Sequence, residues 1–318
     1  MRDPVADSLA STHRSRQAAP RGGSRRTSDA THPDPRDDFI RTRPPASAVS
    51  VRVGRRQLLK LAAELPERDR QILETVATFR LARTDQLRSL FFSELTTESA
   101  RSRVCGRTLH RLTRAGLLTR LERRIGGHRA GSSGQVHALA PAGHRLLAHL
   151  HAQPMPSGRG VHEPGLLFVT HTLAIGDLYV AVVDAERAGQ LELLSFDVEP
   201  VRTYASPIGK TMRVKPDAYV RLAVGEFEQL SFCELDLGTE GRGALERKLH
   251  AYVNLYRSGR EQAEHGLFPR VVWVTDDAAR AEYIQSLIET LPAGTQKLFA
   301  TATVDGAVAA LSGQGDTR

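Results

Sequence analysis

Between Glu98 and Leu118 two stripes of side chains run at helical spacing, and no other feature constrains the fold of this chain as tightly. Arg103, Arg107, His110 and Arg114 fall at i, i+4, i+7 and i+11, while Cys105, Leu109 and Leu112 keep the same rhythm on a neighbouring face. One face is suited to packing and the other to meeting negative charge. Gly116 then offers the left-handed conformation that ends a helix cheaply, and Leu117 and Leu118 open an apolar strand. A basic helix running straight into a strand is the order of a recognition helix and its wing.

The flanking segments fit that order. Ile72, Leu73, Val76 and Phe79 line one face of a predicted helix that starts behind Pro66, a residue well placed in a first turn. A short helix from Thr84, as its N-cap, to Phe92 points Leu87, Leu90 and Phe91 inward. Residues 117–125 and 135–139 read as strands joined by a Gly-rich basic tip, and Pro141 opens a closing helix through His151. The expectation is a winged helix-turn-helix domain over residues 52–151 that binds double-stranded DNA through Arg101, Arg103, Arg107, His110, Arg111 and Arg114, with Arg123, Arg124, His128 and Arg129 of the tip near a backbone or minor groove. The plainer alternative is a solvated charged face on an ordinary helix bundle.

Composition agrees with an acidic polymer as partner. The formal net charge is +8, and 40% hydrophobic residues over 318 positions suffice for two cores. No apolar run is expected to reach the roughly 20 residues of a membrane span, so a membrane partner is not expected. Two cysteines, Cys105 and Cys233, give neither a disulfide framework nor a zinc site, and the reducing cytoplasm is the expected compartment. The opening residues lack the apolar core of a secretory signal. Residues 1–51, rich in Pro, Arg, Ser, Asp and Gly, read as a disordered basic tail, either a solvated leader or a nonspecific DNA-tethering arm. A second Pro- and Gly-rich stretch at 152–164 reads as a linker. No phosphate-binding Gly-x-x-x-x-Gly-Lys-Ser/Thr loop is present, which disfavours a self-powered replication ATPase.

Residues 165–300 read as a mixed α/β domain in the order α-β-β-β-α-β-α, followed by a tail over 301–318. Its second strand, from Arg213 to Ala223, carries Lys215-Pro-Asp217, and its third carries Glu234 and Asp236, placed on one strand face by alternation. Asp217, on an adjoining strand, is within reach of both. Three carboxylates converging at a sheet edge repel one another unless a cation joins them, and oxygen ligands in that number suit Mg²⁺ or Mn²⁺. Phe232 and Leu235 are expected to pack on the opposite face, and Trp273 lies in an apolar strand. Tyr252 and Tyr256, at i and i+4, read as helix packing, and Glu240 and Arg242 as solvated or capping residues of a Gly-rich turn. His171 at a helix start is either structural or turned toward the DNA or the site.

Pro-Asp on one strand with Glu-x-Asp on the next resembles the PD-(D/E)XK nuclease superfamily and its restriction-endonuclease-like fold. More closely, a winged helix followed by His171-Thr-Leu, Lys215-Pro-Asp217, Glu234-Leu-Asp236-Leu-Gly-Thr-Glu240 and Lys248-Leu-x-x-Tyr252 resembles the replication-relaxation family of actinobacterial and plasmid-borne proteins, over about residues 65–290. The resemblance implies a part in plasmid or mobile-element replication and DNA relaxation, with replication or conjugation proteins as partners. It also implies Asp217, Glu234 and Asp236 as metal ligands and catalytic groups. The chain departs from the nuclease pattern in having Asp236 where a lysine follows the acid, leaving Lys248 or Lys215 to supply the positive charge. Two readings stay open: a metal-dependent endonuclease or nickase, and a noncatalytic DNA-binding regulator or adaptor on a degenerate nuclease frame. A transcription factor with an effector-sensing domain is a third, predicting a ligand pocket in place of the carboxylates.

Overall fold

A computed structural model describes residues 53–121, 134–154, 164–206 and 209–314. The readings made for the tail, for Arg123, Arg124, His128 and Arg129, and for most of the 152–164 linker fall outside those residues. The chain is mixed α/β, with helices and several sheets.

The N-terminal lobe runs α1 (Arg55–Glu64), α2 (Glu67–Phe79), β1 (Leu81–Arg83), α3 (Thr84–Phe92), α4 (Glu98–Arg114), β2 (Leu118–Arg120), β3 (Val136–Leu139) and α5 (Pro141–Leu150). Ile72, Leu73 and Val76 of α2, Leu87 of α3 and Cys105, Leu109 and Leu112 of α4 share one buried cluster, so the apolar stripes face where their spacing sends them. Gly116 takes a φ of 71°, and the Leu117 amide donates to the Leu112 carbonyl at 3.0 Å, closing α4 on the expected glycine. β1, a strand of three residues, pairs antiparallel with β3 and completes a sheet in the order β1-β3-β2. Thr84 is the first residue of α3 instead of its cap, and its hydroxyl donates to the Gln135 carbonyl at 3.2 Å.

The C-terminal lobe runs α6 (Leu166–Arg187), β4 (Glu192–Val198), β5 (Arg202–Ala205), β6 (Thr211–Val214), β7 (Ala218–Val224), β8 (Phe227–Asp236), α7 (Arg242–Arg257), α8 (Arg260–His265), β9 (Arg270–Thr275), α9 (Ala278–Glu289), β10 (Phe299–Thr303) and α10 (Ala307–Leu311). Its central sheet has the order β10-β9-β8-β7-β4. β8, β9 and β10 are parallel, and β7 is antiparallel to both of its neighbours. Parallel neighbours need crossover helices, and α7 and α9 supply them, packing on the face that carries Phe232, Trp273 and Phe299. Residues of α6 and α10 cluster with Cys233, Val272 and Val274 on the other face.

Three expectations need correction here. The single strand from Arg213 to Ala223 is broken at Pro216, which has no N–H for a ladder. β6 instead pairs with β5 in a separate two-stranded sheet, and β7 alone joins the central one. Residues of the expected 301–318 tail form the end of β10, five residues in register with β9, and α10, whose Ala307 and Leu311 are buried. Finally, α6 is long and apolar enough to cross a membrane, although no such run was expected. Here its Val169, Leu173, Ile175, Leu178 and Val182 are buried within the protein.

The two lobes share a core. Leu81, Leu121 and Val136 cluster with Val169 and Leu173 of α6. The Arg83 guanidinium forks onto Asp177 at 2.6 and 3.1 Å, and the Gln86 amide donates to Asp177 and to the Leu173 carbonyl, each at 2.8 Å.

Candidate functional site

α4 begins behind Thr97, whose hydroxyl accepts the Ala100 amide proton at 3.2 Å. With Cys105, Leu109 and Leu112 buried, the opposite face exposes Arg103, Arg107, His110 and Arg114. Among the described residues none of these four has a carboxylate partner. Arg111 and Arg101 are occupied elsewhere. Arg111 bonds the carboxylate of Asp69, a residue with no exposed surface, and Arg101 Nε donates to the Leu95 carbonyl at 2.7 Å. The basic stripe is thus narrower than the count of arginines suggests.

In the C-terminal lobe, strand pairing brings the acidic residues close. Ala218 lies opposite Cys233, so Asp217, one residue earlier, sits beside Glu234. The Asp217 amide donates to the Cys233 carbonyl at 2.9 Å, and its Oδ2 accepts the Leu235 amide proton at 2.8 Å. Its Oδ1 lies 2.9 Å from His171 Nε2, near the start of α6. Period-two alternation places Phe232, Glu234 and Asp236 on the α7–α9 face, so Phe232 is a neighbour of the acids, contrary to the expectation, whereas Leu235 lies opposite them as expected.

Each carboxylate is neutralised or bonded by protein groups. Glu234 Oε1 accepts from the Tyr252 hydroxyl at 2.6 Å, and Oε2 from Lys248 Nζ at 3.0 Å. Lys248 also reaches Glu240 at 2.7 Å and stands 5.5 Å from the centre of the Trp273 ring. Asp236 is forked by Arg280 at 2.8 and 3.1 Å and accepts the Gly238 amide proton at 2.6 Å. Burial pushes the Glu234 carboxyl above the usual carboxylate range despite Lys248. Burial also opposes the charge on Lys248, but Glu234, Asp217 and Glu240 together outweigh it and raise the hold on its proton. Tyr252 is pushed the same way, by burial first and by Glu234 second.

These residues do not fit a Mg²⁺ or Mn²⁺ ion held by Asp217, Glu234 and Asp236. Such an ion needs open oxygen lone pairs and room for its waters. Here the three residues are 0%, 2% and 4% exposed, an ammonium and a guanidinium already supply positive charge to Glu234 and Asp236, and among the described residues no three His, Cys, Asp or Glu side chains meet as a metal site. Lys215 is apart from the cluster, paired with Glu199 at 3.1 Å. Of the residues expected to act together, the structure joins Asp217, Glu234 and Lys248 and gives Asp236 to Arg280.

Tyr252, Arg280 and Glu240, the last read as solvated or capping, are partners that sequence reasoning missed. Tyr252 had a signal, since Lys248 and Tyr252 at i and i+4 share one helix face, and that face lies over β8. Arg280 had none, being 44 positions from Asp236.

The chain matches the replication-relaxation family over residues 73–271. No curated protein matches it. Among solved structures it is similar to protein VC1899 from Vibrio cholerae at 10% identity and a TM-score of 0.25, over 80% of this chain and 53% of that one, so the chain spans about half that protein's length. The matched residues begin within α2 and extend to the start of β9, taking in the basic helix and the Asp217–Glu234–Lys248 cluster, and the chain belongs to the replication-relaxation family.

Proposed function

We propose that this protein is a DNA-binding regulator or adaptor of plasmid or mobile-element replication. Its N-terminal lobe acts as a winged helix, with α4 in the major groove of double-stranded DNA, and its C-terminal lobe is a nuclease-like frame whose acids hold the fold. The observation that carries this is the exposed stripe of Arg103, Arg107, His110 and Arg114 on a helix whose other face is core. Guanidinium groups with no carboxylate partner on a packed helix are suited to phosphates and to the N7 and O6 acceptors of guanine. Membership of the family supports DNA and replication proteins as partners.

A second reading rests on Lys248. Its Nζ lies 3.0 Å from Glu234, so α7 delivers a lysine to the acid that the Glu-x-Asp strand lacks, as a nuclease site would need. In that reading Asp217 and Glu234 would have to leave their present partners before they could hold Mg²⁺ or Mn²⁺, which would supply an activated water for nicking.

Gel shifts and supercoiled-plasmid incubations with the full chain, in Mg²⁺, Mn²⁺ and EDTA, separate the two. The expected result is duplex binding in all three conditions without conversion to open-circle DNA, and at least about tenfold weaker binding in Arg107→Ala/Arg114→Ala, since each lost contact removes a phosphate or base interaction. Open-circle product that requires metal and disappears in Glu234→Gln would establish the second reading. Absence of duplex binding by the wild-type chain would overturn the first.

A further inference from the structure

The β5–β6 hairpin lies outside both features already described. Residues 202–215 contain Arg202, Lys210, Arg213 and Lys215 and no acidic residue. Two of these cations are used locally: Arg202 faces Glu261 at 3.4 Å and lies over the Tyr219 ring, and Lys215 pairs with Glu199. Lys210 and Arg213 are exposed and have no carboxylate partner among the described residues.

The register decides which way the hairpin faces. Tyr204 and Val214 are buried against Leu249 and Val253 of α7, so one face of the hairpin is fixed to the lobe. Alternation turns Thr203 and Arg213, which are opposite each other across the strands, to the other face. Arg260 Nη1 donates to the Thr203 carbonyl at 2.7 Å and lies 3.4 Å from its hydroxyl. The Arg260 guanidinium therefore meets the hairpin at Thr203, the cross-strand partner of Arg213, with Lys210 on the connection between the two strands. The acid next in sequence to Arg260, Glu261, has no exposed surface and faces Arg202 and His265. Like charges collected on a surface held rigid from below repel one another until an anion lies across them.

We infer that the β5–β6 hairpin is a second contact for the backbone of double-stranded DNA, in which Lys210, Arg213 and Arg260 engage phosphates. This rests on the reading of the chain as a DNA-binding protein. The contact is sequence-independent, because phosphates carry no base information. It gives the C-terminal lobe a grip on duplex that α4 has positioned.

The test is the salt dependence of duplex affinity, measured by fluorescence anisotropy with the full chain, for wild type, Lys210→Ala/Arg213→Ala, and Arg107→Ala/Arg114→Ala. Each phosphate contact contributes about −0.9 to the slope of log K against log salt. The hairpin variant is expected to flatten the slope by about 2, with a similar loss on unrelated duplex sequences and an unchanged melting temperature. Arg213→Lys keeps the charge and is expected to keep the slope. A hairpin variant with the wild-type slope, beside a weakened α4 variant, would overturn the hairpin contact and leave the α4 reading standing. If the wild-type chain binds no duplex, both fall; if only the hairpin variant loses affinity, the hairpin stands and α4 does not.

Discussion

Lys248 carries more of the C-terminal lobe's electrostatics than a single charge suggests, because three acids converge on it. Removing one partner of a buried pair is costlier than removing both, since the survivor keeps its desolvation penalty. Lys248→Met is therefore expected to destabilise the chain by about 3 kcal/mol, read from the denaturant midpoint. Lys248→Met/Glu234→Gln is expected to recover much of that loss. A double variant no more stable than the single one would show that the pair is not the structural unit described. Tyr252→Phe, which leaves Glu234 Oε1 without its donor, is expected to cost about 1–3 kcal/mol. At this scale the sequence was legible where the chemistry is local. Strand alternation put Glu234 and Asp236 on one face, and the departure from the nuclease pattern left Lys248 or Lys215 as the nearby cation, of which Lys248 is the one that reaches Glu234. The capture of Asp236 by Arg280 was not legible, because no spacing rule links a strand end to a helix 44 positions away.

Among the elements, α4 was the most readable and the β5–β6 hairpin the least. An amphipathic helix with a glycine stop states its own boundaries, whereas Pro207 and Gly209 read as a loop and short strands such as residues 202–205 have too few alternating positions to stand out. β10 was hidden in the same way, since its Phe-Ala-Thr-Ala-Thr carries one large apolar side chain. Two predictions belong to this scale. On α4, Arg111→Ala is expected to lower stability by about 2–3 kcal/mol, because it strands the buried Asp69 carboxylate. Arg107→Ala is expected to leave stability within about 0.5 kcal/mol while weakening duplex binding, and thermal melts beside gel shifts separate the two effects. On β3, His137 is 1% exposed, with Nε2 3.0 Å from the Thr84 hydroxyl, and burial, aided by Arg120, pushes its pKa from 6.5 down to about 4. The folded chain therefore declines a proton that the unfolded chain accepts. Its contribution is complete above pH 6.5 and is lost as pH falls toward 4, amounting to about 3 kcal/mol over that window. His137→Gln is expected to flatten that part of the stability profile. Parallel profiles for variant and wild type would sink the assignment.

For the molecule as a whole, the question is whether the two lobes unfold together. Composition suggested a linker and hence independent domains, since a Pro- and Gly-rich stretch says where packing stops but not what the flanking elements later touch. α6 is what joins them. Its Val169 and Leu173 enter a cluster with Leu81, Leu121 and Val136, and its Asp177 accepts from both Arg83 and Gln86. At its far end Arg187 donates to the Ser89 and Leu90 carbonyls at 2.8 and 2.6 Å. Gly176 keeps the approach open, since a Cβ there would stand 2.8 Å from the Gln86 amide nitrogen. Under the proposed function, a duplex bound by α4 would in this way be held at a set position relative to the C-terminal lobe. Shared apolar area and a forked ion pair make cooperative unfolding the expected behaviour, seen as one calorimetric transition in the wild-type chain. In Asp177→Ala/Arg187→Ala the apolar contact and the Gln86–Leu173 hydrogen bond remain, but the other polar contacts named here are lost. Because Asp177 is 40% exposed the ion pair itself contributes only about 1 kcal/mol, and the Arg83 side chain, 12% exposed, keeps only its pair with Asp85 on its own lobe, at 2.9 Å. That variant is expected to split the transition in two, with the lower one assigned to the N-terminal lobe by loss of duplex binding at the same temperature. Two transitions already present in the wild type would mean that the lobes fold apart and that α6 orients the basic face of α4 without coupling its stability to the rest.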